Sequence, residues 1–226
     1  MPSKIHADNV TPYKNFNLGL HVGDCVEQVE KNRQYLQELL PLKTRIQWLE
    51  QVHGDTVVNI QRETKQPIVA DAMVTREKNI ALAIMTADCL PILLVSSNGD
   101  EIAAIHGGWR PLGANIITNT VSKMHAAAGE IYAWLGPCIG KKVFEVGYDV
   151  QKVFAEKDDI FSQAFCKQDN GKYLADLHKI ATIQLNQLGI TKISHLSECT
   201  YSEPEKYYSY RKASTTGRMA SVITLL

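Results

Sequence analysis

Cysteine is scarce in this sequence, and long apolar runs are missing. Only five of the 226 residues are cysteine, an odd number, and no Cys-x-x-Cys pair occurs. This argues against a disulfide framework and favours a reducing compartment, so we expect a cytoplasmic protein. No apolar run approaches the roughly 20 residues of a membrane-spanning helix, and the first residues lack a signal-peptide core. We therefore expect no membrane partner.

An excess of one charge is also missing. The 24 basic residues balance 24 acidic ones, and no basic stripe is present, so we do not expect nucleic acid as a partner. No linker rich in Pro, Gly or Ser divides the chain, and 45% of it is hydrophobic. We expect a single domain over residues 1–226, and the neutral surface favours a monomer.

Helical and extended patterns alternate along the chain. Helical spacing covers residues 26–40, 112–128, 146–154 and 174–188. Extended structure is predicted for 45–60, 80–86, 90–95, 101–106, 131–135 and 190–194, and 220–226 is a closing apolar run. This alternation indicates an α/β or α+β fold.

Three short segments each place one metal-binding residue type beside a predicted turn or strand end. They are Gln51-Val52-His53-Gly54, Thr86-Ala87-Asp88-Cys89 and His106-Gly107-Gly108. Two imidazoles and one thiolate suit a catalytic zinc ion, because three protein ligands leave a fourth position open for water. The separations of 36 and 17 residues are not those of a zinc finger, so the prediction depends on the positions at strand ends.

The same residues fit other interpretations. In a cysteine hydrolase, Cys89 would be the nucleophile, His53 or His106 the base, and Asp88 the group that orients the imidazole. In the plainest interpretation, Cys89 is a small buried hydrophobic residue and the histidines make structural hydrogen bonds. The residues alone do not separate these alternatives.

Other polar residues are candidates for substrate contacts. Arg110 follows a Gly-Gly turn near a predicted helix start, where Pro111 suits the first turn, and its guanidinium suits phosphate. Asp71 is either a neighbour of a metal ligand or a helix cap. Arg211 lies in a basic and aromatic C-terminal region, which lines an anionic or nucleoside pocket or forms an ordinary solvated loop.

Further short motifs run from residue 16 to the end of the chain. They are Phe16-Asn17-Leu18-Gly19, His21-Val22-Gly23-Asp24, Asn32-Arg33, Ala70-Asp71-Ala72, Leu135-Gly136-Pro137, Phe144-Glu145-Val146-Gly147, Cys199-Thr200-Tyr201, Ser209-Tyr210-Arg211 and Thr215-Thr216-Gly217-Arg218. Together with the three segments above, and in this order, they resemble the laccase-domain family. Its names include multicopper polyphenol oxidase-like protein, peptidoglycan editing factor and purine nucleoside phosphorylase.

The resemblance implies a fold, a metal and an activity. The fold would be a mixed β-sandwich flanked by helices, in α/β/β/α layers. Zinc would be bound by His53, Cys89 and His106. The substrates would be purine nucleosides and phosphate: adenosine, inosine, guanosine and methylthioadenosine would undergo phosphorolysis, and adenosine would also be deaminated.

The resemblance also suggests roles for individual residues. The predicted catalytic residues are Cys89, Asp88 and Arg110, with Asp88 in acid–base work at the purine and Arg110 on phosphate. The predicted substrate-binding residues are Asn17, Asp71 and Arg211. Pro111 departs from the family pattern, which has Gly there, and residues 8–13 stand where the family usually has an Arg-Gly-Gly segment.

Three alternative functions remain open. The first is an amidase that removes serine from UDP-N-acetylmuramoyl-serine during peptidoglycan precursor synthesis. The second is a copper-dependent polyphenol oxidase with Cu²⁺ at the trio, which is weaker because only seven histidines are present and no His-x-His pair occurs. The third is a zinc-stabilised interaction module without enzymatic activity.

Overall fold

The computed structural model describes residues 12, 13 and 16–226, so residues 8–11 of the unusual N-terminal segment lie outside the described part. The helices there are α1 Val26–Glu38, α2 Trp109–Gly113, α3 Ile116–Val121, α4 Tyr148–Ala155 and α5 Leu177–Gln187. The strands are β1 Arg45–Gln47, β2 Leu49–Glu50, β3 Val57–Asn59, β4 Ile68–Val69, β5 Ala72–Thr75, β6 Ile80–Thr86, β7 Leu90–Ser96, β8 Ile102–Gly107, β9 Ile131–Leu135, β10 Glu145–Val146, β11 Phe165–Lys167, β12 Tyr173–Ala175, β13 Lys192–His195 and β14 Met219–Thr224.

Two mixed sheets pack face to face. One has six strands in the order β13-β9-β7-β8-β5-β3, and the other has three in the order β1-β6-β14. All seven residues of β6 are buried, which explains its continuous apolar run. Between the sheets lies a core that includes Met73, Leu82, Ile84 and Ile102, and burial of such side chains is the main favourable term in folding.

Helices cover the outer faces of both sheets. Leu36 of α1 packs against Ile46, Ala81 and Ala83 on the three-stranded sheet. Residues of α2, α3 and α5 share a second core with the six-stranded sheet. The predicted α/β/β/α layering is therefore confirmed. None of the helices in the described ranges is long and apolar enough to cross a bilayer.

The predicted helix over residues 112–128 is wrong in extent. The chain forms two short helices, α2 and α3, which are separated by Asn115 in the left-handed conformation at φ 66°. Asparagine tolerates this conformation better than most residues do. Beyond α3, the backbone N–H groups of His125 and Ala126 donate to the buried carboxylate of Glu101 instead of continuing a helix.

Strand register brings distant residues to one end of the six-stranded sheet. Leu90 pairs with Gly107 and Pro91 with His106, so Cys89 precedes β7 next to the end of β8. On the other side of β8, Ala72 pairs with Ile105, and the backbone N–H of His106 donates to the Asp71 carbonyl oxygen at 2.8 Å. The site is built at this end.

Candidate metal centre and its cavity

His53, Cys89 and His106 lie together. One ligand atom from each lies within 4.8 Å of the others, and Cys89 Sγ is 3.9 Å from His53 Nε2. Tetrahedral zinc, with bonds of about 2.0 Å to nitrogen and 2.3 Å to sulfur, would place its ligand atoms roughly 3.3–3.6 Å apart. The three side chains fit a zinc-sized ion after small movements.

Asp71 organises both histidines. The His106 Nδ1 atom lies 2.7 Å from Asp71 Oδ1, which leaves His106 Nε2 for a metal. The same carboxylate accepts the backbone N–H groups of Val52 at 3.2 Å, His53 at 3.0 Å and Gly54 at 2.7 Å. His53 adopts a left-handed conformation, φ 61°, in this turn. Carboxylate–histidine pairs of this kind commonly orient metal ligands.

Without a metal, the trio favours a thiolate–imidazolium pair, and a bound metal would displace the proton of His106. Burial alone would raise the pKa of the Cys89 thiol, but the charge and hydrogen bond of His106, with help from His53, lower it to about 6. Burial opposes a charge on His106, yet the Cys89 thiolate and Asp71 raise the pKa of His106 to about 9. The thiolate, which is the form that binds metals, therefore exists at neutral pH.

The pKa of Asp71 follows from the same contacts. Burial raises this pKa, but the hydrogen bonds from His106 and from the Gly54 and His53 backbones together lower it by more, so the pKa of Asp71 lies below its ordinary value. Asp71 is fully buried and precedes β5. The alternative of a helix cap is therefore wrong. Its predicted contact with substrate stays a prediction, since Asp71 lies beneath the ligands and not on the cavity wall.

Gly108 permits the close approach of the ligand loops. A Cβ atom at this position would lie 3.1 Å from Cys89 Sγ and 3.4 Å from His53 Cδ2. Such contacts are tighter than ordinary van der Waals packing, so a side chain here would push against two ligands at once. This gives the Gly-Gly pair after His106 a physical function beyond its turn.

Asp88 joins the metal centre to the C-terminal region. Its Oδ1 accepts from Thr200 Oγ1 at 2.6 Å, and its Oδ2 accepts from Ser209 Oγ at 3.0 Å and from the Arg211 backbone N–H at 2.6 Å. Asp88 is buried, with φ 95°, a strained value for this residue. Its predicted acid–base role stays a prediction, because both oxygens are engaged in positioning neighbouring loops.

A cavity of about 550 Å³ opens onto the trio, and this volume lies within the usual range for small-molecule sites. Apolar and aromatic side chains form much of its wall, and several basic groups face it. The lining residues are His21, Gln51, His53, Met85, Thr86, Ala87, Asp88, Cys89, His106, Trp109, Arg110, Ile139, Phe144, Leu177, Tyr210, Arg211 and Arg218.

The two predicted phosphate ligands lie on the exposed part of this wall. Arg110 is exposed and packs over the Trp109 ring, with its Cζ atom 4.5 Å from the ring centroid. Arg211 is also exposed, and its Nη1 donates to the Glu145 carbonyl at 2.9 Å. Their contact with substrate stays a prediction.

Asn17 lies elsewhere. It is fully buried and is not among the residues that line the cavity. Its side chain donates to Asp24 at 2.9 Å and accepts the backbone N–H groups of Gly19 at 2.9 Å and Arg218 at 2.8 Å. Its predicted role in substrate binding stays a prediction, but these bonds assign it the task of joining two loops.

Sequence reasoning missed some wall residues. His21 and Arg218 occur in the motifs His21-Val22-Gly23-Asp24 and Thr215-Thr216-Gly217-Arg218, but neither motif predicts that they line a cavity. Both line the cavity. No local pattern separates such residues from solvated loops, because their loops meet only through long-range contacts such as that between Asn17 and Arg218.

Comparison with known proteins agrees with this geometry. A family model described as "Multi-copper polyphenol oxidoreductase laccase" matches residues 6–226. The chain belongs to this family. It is 42% identical to a protein named purine nucleoside phosphorylase from Haemophilus influenzae, over 99% of this chain and 95% of that protein. The Escherichia coli K12 protein named purine nucleoside phosphorylase YfiH is also 42% identical, over 99% of this chain and 92% of its own length.

A solved structure shares the fold of this laccase-like family member. The crystal structure of Neisseria meningitidis protein NMB0706 matches with a TM-score of 0.94 and 37% sequence identity, and the match covers 98% of this chain and 91% of that one. The resemblance predicted from the motifs is therefore confirmed. The Haemophilus influenzae and Escherichia coli relatives are, by name, enzymes that act on small molecules.

Proposed function

We propose that this chain is a cytoplasmic, zinc-dependent purine nucleoside phosphorylase that also deaminates adenosine. The observation that carries the proposal is the His53–Cys89–His106 trio, open to a cavity of about 550 Å³. The names of relatives at 42% identity support the same reaction class. The proposed substrates of phosphorolysis are adenosine, inosine, guanosine and methylthioadenosine.

The trio suits a zinc ion better than it suits the copper site of a multicopper oxidase. Two imidazoles and a thiolate also occur in blue-copper sites, but a multicopper oxidase needs further histidines close by. Within the described residues, the trio is the one cluster of its kind. Bound zinc would supply Lewis acidity and an activated water at neutral pH, the chemistry needed for attack on C6 of adenine.

In phosphorolysis, a phosphate oxygen bonds to the anomeric carbon of the ribose while the bond from that carbon to the purine nitrogen breaks. The leaving purine takes the bonding electrons and a proton. The protein must hold phosphate beside the sugar and seat the base against an apolar wall. Phe144, Ile139 and Leu177 supply that wall, and arginines supply the charge.

Replacement of one ligand tests the proposal. We expect Cys89→Ala to lose zinc and both activities, whereas Cys166→Ser, a change at an exposed cysteine outside the cavity, keeps them. Metal is measured in the purified proteins, and adenosine is incubated with and without phosphate before chromatography. We expect about one zinc per chain, phosphate-dependent adenine, and inosine.

The outcomes separate the alternatives. Turnover retained by Cys89→Ala would refute the proposal. Zinc without either product would favour the precursor amidase, which release of serine from UDP-N-acetylmuramoyl-serine would identify. A protein that loses stability on zinc removal but turns over nothing would be the interaction module, and bound copper with phenol oxidation would be the oxidase.

A further inference from the structure

A second basic cluster lies at the cavity, formed by Arg218, Arg33 and His21. Arg218 and His21 line the wall. Arg33 lies behind it, with Nη2 3.6 Å from the sulfur of Met85, which itself lines the cavity. Three basic side chains therefore share one region beside the trio.

The two arginines are held in place by neutral partners. Arg218 Nη1 donates to the carbonyls of Thr216 at 3.0 Å and Gly217 at 2.9 Å. Arg33 Nε donates to the Leu18 carbonyl at 2.8 Å, and its guanidinium lies 4.0 Å from the Trp48 ring centroid. The Arg218 guanidinium also lies 5.9 Å from the Tyr210 ring centroid, but among residues 12, 13 and 16–226 its Nε and Nη2 atoms donate no hydrogen bond and can bind a ligand.

No carboxylate neutralises this cluster. Among the described residues, none of the three basic groups lies within 4.0 Å of an acidic side-chain oxygen. Glu30 and Glu50 act only at longer range, on Arg33 and His21 respectively. Cys89 acts most strongly on Arg218, followed by Tyr210 and Asp88, but the Asp88 oxygens accept three hydrogen bonds from other groups.

Burial makes this arrangement costly. Both arginines are half-buried, and partly desolvated charges normally have a counterion. The electrostatic response agrees: burial lowers the pKa of Arg33 to about 10 and also lowers that of Arg218. The pKa of His21 falls because of burial and then because of Arg218 and Arg33. The cluster lacks a carboxylate partner, and the Cys89 thiolate acts on Arg218 only through space.

The exposed arginines of the wall differ in this respect. Arg110 and Arg211 are solvated, so water screens their charge and weakens their attraction for an anion. Gly19 provides a further sign of close fit at Arg218, since a Cβ atom at Gly19 would lie 2.8 Å from Arg218 Cγ. The absence of a side chain at Gly19 therefore leaves room for the Arg218 side chain.

We propose that Arg218, flanked by His21 and backed by Arg33, forms the oxyanion subsite that holds the phosphate of the reaction, in place of the exposed Arg110 and Arg211. This inference rests on the proposed function for the identity of the anion. The ligand of the subsite is a phosphate group, and we assign it to inorganic phosphate. The test below distinguishes inorganic phosphate from the diphosphate of a nucleotide. A guanidinium binds either through paired N–H donors.

Binding measurements test the subsite without any turnover. Inorganic phosphate alone, and uridine diphosphate alone, are titrated calorimetrically into the zinc-loaded protein in a phosphate-free buffer. We expect Arg218→Gln to weaken phosphate binding by about tenfold or more, as loss of charged hydrogen bonds predicts. Arg110→Gln and Arg211→Gln should change it by less than about threefold, and Arg45→Gln, at an exposed arginine of β1, is the matched control.

Arg218→Lys covers the case in which the glutamine variant does not fold. It keeps the charge but not the paired donors, so we expect an intermediate loss of phosphate affinity. Unchanged binding in the folded Arg218 variants, a larger loss in Arg110→Gln, or no phosphate binding at all would overturn the subsite. Stronger, Arg218-dependent binding of uridine diphosphate would support the anion subsite and assign its source to a nucleotide.

A failure of the proposed function gives a different result. If adenosine is not cleaved but phosphate binding still depends on Arg218, the subsite stands and the phosphorylase assignment falls. If adenine is formed at the normal rate and with an unchanged KM for phosphate in Arg218→Gln, the phosphorylase stands and the subsite falls.

Discussion

Replacement of Asp71 by asparagine provides a direct test of how the metal centre is held. Four donors converge on the Asp71 carboxylate: three backbone N–H groups from residues 52–54 and the imidazole of His106. Asparagine has the same shape but only one acceptor oxygen. In either orientation of the amide, its NH₂ group would face two of these donors.

The expected losses follow from this mismatch. If the NH₂ group faces His106, the imidazole must accept at Nδ1, which puts its proton on Nε2 and blocks the metal-binding atom. If it faces Val52 and Gly54, the turn that holds His53 loosens. Hydrogen bonds to charged groups contribute about 1.5–3 kcal/mol each. We expect the metal-free protein to lose on the order of 3 kcal/mol, and zinc affinity to fall by about 10- to 100-fold.

The measurement combines zinc competition against a chromophoric chelator with urea unfolding of the metal-free and zinc-loaded proteins. Glu101→Gln is the matched control, because Glu101 is also a buried carboxylate that accepts backbone N–H groups and pairs with Arg76. The Glu101→Gln protein should lose stability but bind zinc with the same affinity as the parent protein. Zinc affinity in Asp71→Asn within about threefold of the parent protein, against the 10- to 100-fold loss expected for a partner of a metal ligand, would refute this account.

Two further predictions follow from single contacts. Gly108→Ala places a Cβ 3.1 Å from Cys89 Sγ, so we expect zinc affinity to fall by about tenfold; Gly129→Ala, with nothing within 4 Å, should not change it, and equal affinities would contradict the close-approach argument. Burial lowers the pKa of His178 below 6.5, so its contribution to stability is full above pH 6.5 and is lost as pH falls below that value. When urea unfolding is measured as the pH falls from 8 to 5, the free energy of unfolding should therefore decrease less in His178→Gln than in the parent protein. An identical decrease in both proteins would exclude this role of His178.

Much of the fold could be predicted from the chain because its apolar runs are strong local signals. The continuous run at β6 and the amphipathic pattern of α1 produced elements close to those observed. The error at residues 112–128 came from interactions that no local pattern contains. Asn115 divides the predicted helix and α3 ends at Val121, and Glu101 binds the N–H groups of His125 and Ala126 from 24 and 25 residues away.

The candidate site could likewise be predicted only in part. The positions of Cys89 and His106 at strand ends were visible in the sequence, and the pairing of β7 with β8 makes them neighbours. The neighbours of Asp88 were not visible, because Thr200 and Ser209 lie 112 and 121 residues along the chain. The neighbours of Asn17 and Asp71 were hidden for the same reason, because a motif does not show which groups surround a residue; their contact with substrate stays a prediction.

The dependence of the metal ligands on tertiary structure has a consequence for metal binding. His53 reaches the centre only through the turn fixed by Asp71, and Asp71 is placed by the pairing of β5 with β8. Cys89 and His106 meet only after β7 has paired with β8. The unfolded chain, with ligands 36 and 17 residues apart, has no comparable site, so zinc bound at the trio would stabilise the folded sheet. Zinc affinity therefore reports on the packing of β5, β7 and β8 as well as on the three ligands.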